Sequence, residues 1–491
     1  MFARLRPALF CFACLLLPGL AVGAAQTSPA SAPTPTTLPA PVRAALQKVQ
    51  LAEHNVAIYT RAVDSAQPGI ALNIDAPMNP ASVMKIFTAF AALDAFGPAA
   101  TWDTIARTDG EIQPDGLHGN LYLQGSGDPL LDIKRLTLFF NRLHQLGIER
   151  IHGDIVLDNS ALALPAHDPG AFDGRPLRPY NSGPDGLLVH FNTLGVLLIP
   201  GARANDPVTA LPEPALATPK LDNQIRTGGG GCGTWYAGLT AELVGDTLRL
   251  AGKLPAACGQ RLWGLAPLSP SRYAVEAVRA LWSQTGGRLN GQVRHGDTPM
   301  NARRLLTETS PSLTEILREM NKWSSNLIAR QLFALVGQQF DPESADAVAS
   351  AREATRAILA RHGVDVRGFV IDNGAGLSRR ARASARTIGE TLLAAWRSPW
   401  MPEFTASLPI AGEDGTARRL SKNSGAQGHA HLKTGTIDHV RAMAGFVLDR
   451  HGQRHILVFL ANAPNAHAAL PVQNALIEWL HQGGKQPAAA P

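Results

Sequence analysis

Apolar and polar positions along the chain alternate with two different periods, and their order predicts a mixed fold. Two strand-like runs, NVAIYTRAVD and GIALNIDA, are separated by a turn that contains Pro68 and Gly69. Apolar residues then recur at helical spacing from Ser82 to about residue 96. Three strand-like runs, HLKTGTI, VRAMAGFVLD and RHILVFLAN, and a helix over about 466–482 close the pattern. Between these ends, helical periodicity returns at 271–285, 312–322, 325–338, 344–362 and 384–397.

Residues 98–265 differ from both flanks, because they are rich in Gly, Pro and short strand-like runs. A chain of 491 residues exceeds the roughly 250–300 residues that one core supports, so we expect two or more domains. We therefore predict an α/β (α+β) fold in which the first two strands and the last three complete one antiparallel sheet covered by helices. The two parts of this domain span 42–97 and 266–484, and residues 98–265 form a mainly β insertion between them.

The N-terminal 24 residues are typical of a secretory signal, with Arg4 and Arg6 before an apolar stretch that is short for a membrane span. Residues 25–41 are rich in Pro, Ser, Thr and Ala and predict a flexible linker, and residues 485–491 predict a disordered tail. No second run of about 18 apolar residues follows. We expect a periplasmic protein with a cleaved signal and no integral membrane span; an uncleaved anchor is the alternative.

Charge and cysteine content limit the partners and cofactors. A net charge of +6 with 17% charged residues is too mild and too scattered to predict nucleic-acid binding. GGGGCG lacks a following Lys-Ser/Thr, which argues against a phosphate-binding loop, and we expect no cofactor. Cys232 and Cys258 remain after signal removal and predict a disulfide in an oxidising compartment, with two free thiols as the alternative. Two cysteines offer too few ligands for a metal site, and we expect none.

The candidate chemistry lies in three short motifs: Ser82-Val83-Met84-Lys85, Ser324-Ser325-Asn326 and Lys433-Thr434-Gly435. Positions i and i+3 share one face of a helix, so Lys85 can take the proton of the Ser82 hydroxyl and make it a nucleophile. Burial lowers the pKa of a lysine enough for this role. A helix start also sets the backbone N–H of Ser82 near a developing oxyanion. In the second motif, Ser324 can relay a proton to a leaving amine, while Asn326 can orient Lys85 and hold the substrate's peptide group.

The third motif predicts a carboxylate-binding strand. Lys433 presents a fixed cation, Thr434 and Thr436 can bind a carboxylate, and Gly435 lets a substrate backbone approach the strand edge. The backbone N–H of Thr436 is the predicted second oxyanion donor. Taken alone, each motif is equally typical of a helix cap, a solvated lysine or an ordinary strand start. Their order favours catalysis, because the first opens an apolar helix and the last opens a strand near the C-terminus.

In this order and context, the chain resembles the low-molecular-mass class C penicillin-binding proteins, the DacB-type D-Ala-D-Ala carboxypeptidases/endopeptidases. The resemblance implies a penicillin-binding-protein/β-lactamase-like transpeptidase domain with extra domains between the first two motifs. It implies catalytic roles for Ser82, Lys85, Ser324, Asn326 and Lys433. The matching stretches cover most of the mature chain: NPASVMKIFTAFAAL, QGSGDPLL, RPYNSGPDGLLVHFNTLGV, MNKWSSNLIARQLF, DNGAGLSR, LPIAGEDGTARR and HLKTGTI.

The implied function is acyl transfer through an acyl-enzyme on Ser82. Peptidoglycan stem peptides are the expected substrates, cut by D-Ala-D-Ala carboxypeptidase or D,D-endopeptidase action, and β-lactams are the expected covalent inhibitors. Two alternatives remain at this point: a β-lactamase-like hydrolase, which needs a base for the deacylating water, and a non-catalytic cell-wall binding protein.

A few residues depart from this pattern or compete with it. Ser325 stands where relatives often have Asp, and we expect little effect because the mechanism does not use that side chain. The resemblance implies that Asp128 binds the amino group of a diaminopimelate side chain, with a turn-forming Asp-Pro as the alternative. His429 and His431 would share a face of a strand, but without a third ligand they predict solvated histidines rather than a metal pair. Arg379 could bind a substrate carboxylate, although we favour a structural ion pair.

Overall fold

The computed structural model describes residues 38–484. Its strands, in chain order, are β1 (Val56–Ala62), β2 (Ile70–Leu72), β3 (Asp103–Thr108), β4 (Glu111–Gln113), β5 (Gly116–His118), β6 (Leu121–Gly125), β7 (Arg150–Ile151), β8 (Ile155–Asp158), β9 (Leu194–Ile199), β10 (Thr209–Glu213), β11 (Lys220–Gly228), β12 (Leu239–Val244), β13 (Thr247–Pro255), β14 (Arg261–Leu265), β15 (Arg288–Leu289), β16 (Val293–His295), β17 (Arg303–Thr309), β18 (Ala430–Ile437), β19 (Val440–Leu448) and β20 (Arg454–Asn462). Its α-helices are α1 (Ala40–Lys48), α2 (Lys85–Phe96), α3 (Ile133–Gln145), α4 (Pro270–Gln284), α5 (Leu313–Lys322), α6 (Asn326–Phe340), α7 (Ala347–Arg361), α8 (Ala385–Arg397), α9 (Met401–Ser407) and α10 (Leu470–His481).

One antiparallel sheet joins the two ends of the chain, in the order β18-β19-β20-β1-β2. Its strands are apolar on both faces because helices cover both. Along β1, Val56 and Ile58 pack into a core with α1 and α10, whereas Ala57 and Tyr59 pack into a core with α2 and α8. Alternate residues of a strand point to opposite faces, so one short run serves both cores. The predicted sheet and the predicted fold class are confirmed.

Helix α2 lies at the centre of the helical layer. Every residue from Lys85 to Leu93 is buried, since α6, α7 and α8 all contact this helix. A helix that is apolar all round is stable only when it is covered on all sides. The base candidate Lys85 therefore begins its helix inside the protein, away from bulk water.

A second region lies between α2 and α5, with its own core and four sheets. These sheets have the strand orders β10-β9-β14, β11-β13-β12, β15-β7-β5-β4 and β16-β8-β6-β3-β17. The predicted boundary at residue 265 is too early, because β17 pairs with β3 and carries the region on to Thr309. Helix α4, which we assigned to the catalytic part, buries Tyr273 and Trp282 in this second core. The region also contains helix α3, so it is less purely β than its composition predicts.

The structure also bears on the predicted disulfide, the predicted linker and the expected absence of a membrane span. Cys232 and Cys258 form a disulfide with a Cα–Cα distance of 4.7 Å. The predicted linker ends earlier than residue 41, since α1 starts at Ala40 and buries Val42 and Leu46. The predicted signal, most of the linker and the predicted tail lie outside the described residues. Between residues 38 and 484, no helix combines the length and the apolar character needed to cross a membrane.

Candidate active site

Ser82 lies in a 3-10 turn, Ala81–Met84, that runs directly into α2. Ala81 adopts a left-handed backbone conformation with φ 45°, and its N–H donates to the side-chain oxygen of Asn79 at 2.9 Å. The Asn79 amide in turn donates to the Ser378 carbonyl at 2.8 Å. A residue held against its backbone preference needs such support, and functional sites are where this strain concentrates. Ser82 is therefore held in place at the N-terminus of a buried helix.

Lys85 makes three close polar contacts, although its side chain is fully buried. Its Nζ lies 3.1 Å from Ser82 Oγ, 2.7 Å from Asn326 Oδ1 and 2.6 Å from the Ala375 carbonyl oxygen. Burial, followed by the charges of Lys433 and Arg330, holds the pKa of Lys85 well below its ordinary value. A neutral amine has two hydrogens and one lone pair. Asn326 and Ala375 can accept both hydrogens, which leaves the lone pair facing the serine hydroxyl.

The Ser324-Ser325-Asn326 motif spans the junction of α5 and α6. Ser324 takes a left-handed conformation with φ 59°, and the Ser325 side chain caps α6 by accepting from the Ile328 N–H at 3.3 Å. Asn326 is the first residue of α6 and so presents its amide to Lys85. Ser325 thus has a structural task, and Ser, like Asp, is among the preferred N-cap residues.

Lys433 is a second fully buried lysine, and it reaches the second motif. Its Nζ donates to Ser324 Oγ at 2.9 Å and to the Thr434 carbonyl at 2.8 Å. Burial lowers the pKa of Lys433 to about 7. Thr434 Oγ1 donates to Thr416 Oγ1 at 2.7 Å, and Thr436 Oγ1 accepts from Arg441 at 3.0 Å. The third motif therefore joins the second through one hydrogen bond from a titratable cation.

Gly435 lies where β18 contacts the turn that carries Ser82. A Cβ at this position would be 2.7 Å from the Pro80 carbonyl oxygen and 2.9 Å from the Ser82 nitrogen. These distances are too short for any side chain. We predicted that this glycine admits a substrate backbone. The structure shows that it also admits the backbone of the turn that carries Ser82.

A glycine-rich turn at residues 372–376 supplies an acceptor for Lys85. Asn373 Oδ1 accepts from the Ala375 N–H at 3.1 Å, and Thr88 Oγ1 donates to the Gly374 carbonyl at 2.7 Å. Gly376 has φ 75°, and a Cβ there would lie 1.9 Å from the Ala81 carbonyl oxygen. The backbone of this turn therefore reaches Lys85 only because its glycines carry no side chains.

Ser82 opens into a cleft of about 530 Å³ with walls from both regions of the fold. Ser324, Asn326 and Thr436 line it, while Lys85 and Lys433 lie behind the wall. The inserted region contributes a wall that the sequence motifs did not indicate. This wall consists of Phe172, Asp173, Arg175 and Tyr180.

Arg330 is a further residue that the motifs missed, and it attaches this wall to α6. It lies one helical turn after Asn326 and is only 7% exposed. Its guanidinium donates to the carbonyls of Tyr180 at 3.1 Å and Ser182 at 2.6 Å. Its charge also contributes to the low pKa of Lys85. The spacing of four residues from Asn326 was the available signal.

Other predicted residues lie away from the nucleophile. Asp128 is buried, pairs with Arg135 at 2.7 Å and accepts from the Leu130 N–H at 2.7 Å. It does not line the cleft, so the structure favours the turn interpretation. Arg379 does line it, and it pairs with Asp438 at 3.0 Å. Within the described chain, His429 and His431 belong to no group of three metal-ligating side chains.

The chain is similar to several known proteins. The chain is 28% identical over 419 residues to the D-alanyl-D-alanine carboxypeptidase of Actinomadura sp. (strain R39), covering 81% of this chain and 76% of that protein. It is 27% identical over 389 residues to the D-alanyl-D-alanine carboxypeptidase DacB of Haemophilus influenzae, covering 78% and 80%. The crystal structure of penicillin binding protein 4 (dacB) from H. influenzae matches with a TM-score of 0.76 at 24% identity, covering 90% of this chain and 99% of that one. Residues 38–483 match the D-Ala-D-Ala carboxypeptidase 3 (S13) family, and the chain belongs to that family.

Proposed function

We propose that this chain is a serine-type, penicillin-binding D-Ala-D-Ala carboxypeptidase that acts through an acyl-enzyme on Ser82. The observation that carries the proposal is the position of Lys85 Nζ, 3.1 Å from Ser82 Oγ and bonded on its other sides to two acceptors. In its neutral form, a buried amine held in this way is a general base aimed at one hydroxyl. The family's members named as D-alanyl-D-alanine carboxypeptidases support the same reaction.

In the first half-reaction, Lys85 takes the proton of Ser82 Oγ as that oxygen attacks the carbonyl carbon of the penultimate D-Ala. The backbone N–H groups of Ser82 and Thr436 stabilise the oxyanion. The C–N bond then breaks, and the proton that Lys85 took passes to the leaving amine through Ser324, which is hydrogen-bonded to Lys433. In the second half-reaction, neutral Lys85 takes a proton from water as the water oxygen attacks the ester carbonyl. The ester C–O bond then breaks, that proton passes to Ser82 Oγ, and the shortened peptide leaves as its carboxylic acid.

The third motif supplies the substrate's charge partner. A C-terminal D-Ala carries a carboxylate, and Lys433, Thr434 and Thr436 lie together on β18 beside the cleft. Approach of a carboxylate raises the pKa of Lys433 and favours its charged form. An endopeptidase substrate uses the same serine and differs in the group carried by the leaving amine, so we propose that one site serves both bonds.

Benzylpenicillin tests the proposal directly, because a β-lactam carbonyl acylates the same serine. Intact mass should show one adduct on the wild-type protein and none on Ser82→Ala. Ser283→Ala, which removes an exposed hydroxyl on α4, should keep the adduct. No adduct on the folded wild type, or an adduct that persists on Ser82→Ala, would refute the assignment.

Two further measurements separate the alternatives. Asp173, in the cleft wall, accepts from Tyr180 Oη at 2.8 Å, and the other lining carboxylate, Asp438, is paired with Arg379. Because both carboxylates already have partners, we expect nitrocefin to acylate Ser82 without rapid turnover. Muropeptides with defined ends should release D-Ala or break crosslinks, and release of neither product would instead favour a non-catalytic binding protein.

We also propose that the protein works in the periplasm, on the peptidoglycan stem peptides that its family's reaction requires. The support is the signal-like N-terminal sequence, with Arg4 and Arg6 before an apolar stretch. Expression with the native N-terminus should yield a mature protein in the periplasmic fraction, with a mass that corresponds to cleavage near residue 24. Retention of the full-length mass in the membrane fraction would support the uncleaved anchor.

A further inference from the structure

Two histidines of the inserted region are placed side by side by strand pairing. β5 and β7 are parallel neighbours, with Leu117 opposite Ile151, and both of these side chains are fully buried. The next residue on each strand path must then point away from the core. These residues are His118 and His152, and their ring centroids lie 4.1 Å apart.

The turn that precedes β5 brings a carboxylate to the same point. Asp115 Oδ1 lies 2.8 Å from His118 Nε2, and its Oδ2 lies 3.3 Å from His152 Nε2. The three donor atoms all lie within 4.8 Å of one another. Tetrahedral bonds of about 2.0–2.1 Å place neighbouring ligand atoms about 3.3 Å apart, so rotation of the two rings and the carboxylate closes a coordination sphere.

His152 has a second polar neighbour, on the side of its ring that faces away from Asp115. The Asn290 amide lies 3.3 Å from Nδ1 of His152, on the side of the ring opposite Asp115. His152 Nε2 is closed off from solvent and makes no hydrogen bond to a described protein atom. A half-turn of the Asn290 amide sets its oxygen to accept from Nδ1–H of His152, which leaves the lone pair of Nε2 for a metal, as an outer-shell partner of a ligating histidine does. The cluster thus contains a buried ring nitrogen that lies 3.3 Å from a carboxylate oxygen without making a hydrogen bond to it.

We propose that Asp115, His118 and His152 bind a divalent transition metal, with Zn²⁺ as the preferred ion and water at the remaining position. Imidazole nitrogens with one carboxylate suit Zn²⁺ and disfavour Mg²⁺ and Ca²⁺, which take oxygen ligands. The ion connects the β4–β5 turn to the end of β7. None of the three residues lines the cleft of Ser82, so the role of this site is to hold the inserted region together rather than to act in the reaction.

Isothermal titration of the full chain, free of any affinity tag, with ZnCl₂ tests the site. We expect one saturable Zn²⁺ per chain and a higher Tm in its presence. His118→Ala, His152→Ala and Asp115→Asn should each abolish both effects. Asn290→Ala should weaken binding by about 10- to 100-fold, as loss of an outer-shell partner does. His54→Ala, which removes an exposed histidine elsewhere, should bind as the wild type does.

The same samples also control for loss of folding and for metal binding elsewhere in the protein. Every variant should keep its benzylpenicillin adduct, because the cluster is remote from Ser82, and this shows that the protein is folded. No saturable binding by the wild type would overturn the proposal. Equal binding by the wild type and by the His118→Ala and His152→Ala variants would overturn it as well, since the metal would then lie elsewhere.

Discussion

Gly435→Ala should slow acylation of Ser82 by moving the nucleophile. The new Cβ would start 2.7 Å from the Pro80 carbonyl oxygen and 2.9 Å from the Ser82 nitrogen. Relaxed contacts of carbon need about 3.5 Å, so the turn must retreat by about 0.8 Å. A misplacement of about 1 Å costs roughly 10²-fold in rate, and overpacking costs about 1–3 kcal/mol of stability. We expect acylation by benzylpenicillin to fall by about 10²-fold.

The assay is the second-order rate of adduct formation by intact mass, together with urea unfolding of the same protein. Gly425→Ala is the matched control, because a Cβ there meets no atom within 4 Å and its backbone conformation suits any residue. It should acylate at the wild-type rate. If Gly435→Ala also acylates at the wild-type rate, the glycine is not needed to seat the nucleophile. If only large peptide substrates slow down, its role is limited to substrate approach.

Variants at three further positions test the electrostatics and the supporting contacts. Burial and neighbouring cations lower the pKa of Lys85, so Arg330→Gln should raise it and move the ascending limb of the acylation pH profile to higher pH, while Arg330→Lys should leave it in place. The pKa of Lys433 is about 7 in the folded protein and about 10.4 in the unfolded chain. Between these pH values the unfolded state binds more protons, so the free energy of unfolding should rise with pH. Lys433→Met should flatten that rise in urea titrations. Ser325→Ala should lose about 1 kcal/mol in the same titrations through the missing cap of α6, and Ser325→Asp should restore it.

Much of the site was visible in the sequence because its chemistry is local. Ser82 and Lys85 are three residues apart, and helical geometry alone places them on one face. The contact partners of Lys85 were only partly visible. Asn326 was predicted from its motif, whereas the Ala375 carbonyl carries no side-chain signal at all. A backbone acceptor can be located only when the path of its turn is known.

Residue pairs far apart in the chain explain the remaining differences. Arg330 and Tyr180 are 150 residues apart, and their contact makes the inserted region part of the cleft. Asp128 lies in a stretch that resembles the family, yet its charge partner proved to be Arg135. A sequence pattern can single out a charged residue such as Asp128, but it does not show whether that residue pairs with the substrate or with another side chain of the protein.

The sequence by itself determined the catalytic sheet, its covering helices and the three motifs. Strand period, helix period and motif order are properties of neighbouring residues, and local sterics enforce them. Only the tertiary structure decided where the insertion ends, since β17 joins β3 across about 200 residues. Only the tertiary structure also placed His118 beside His152 and buried Lys85 and Lys433 completely. Burial and long-range pairing depend on how complete layers pack together, and no window of sequence contains that information.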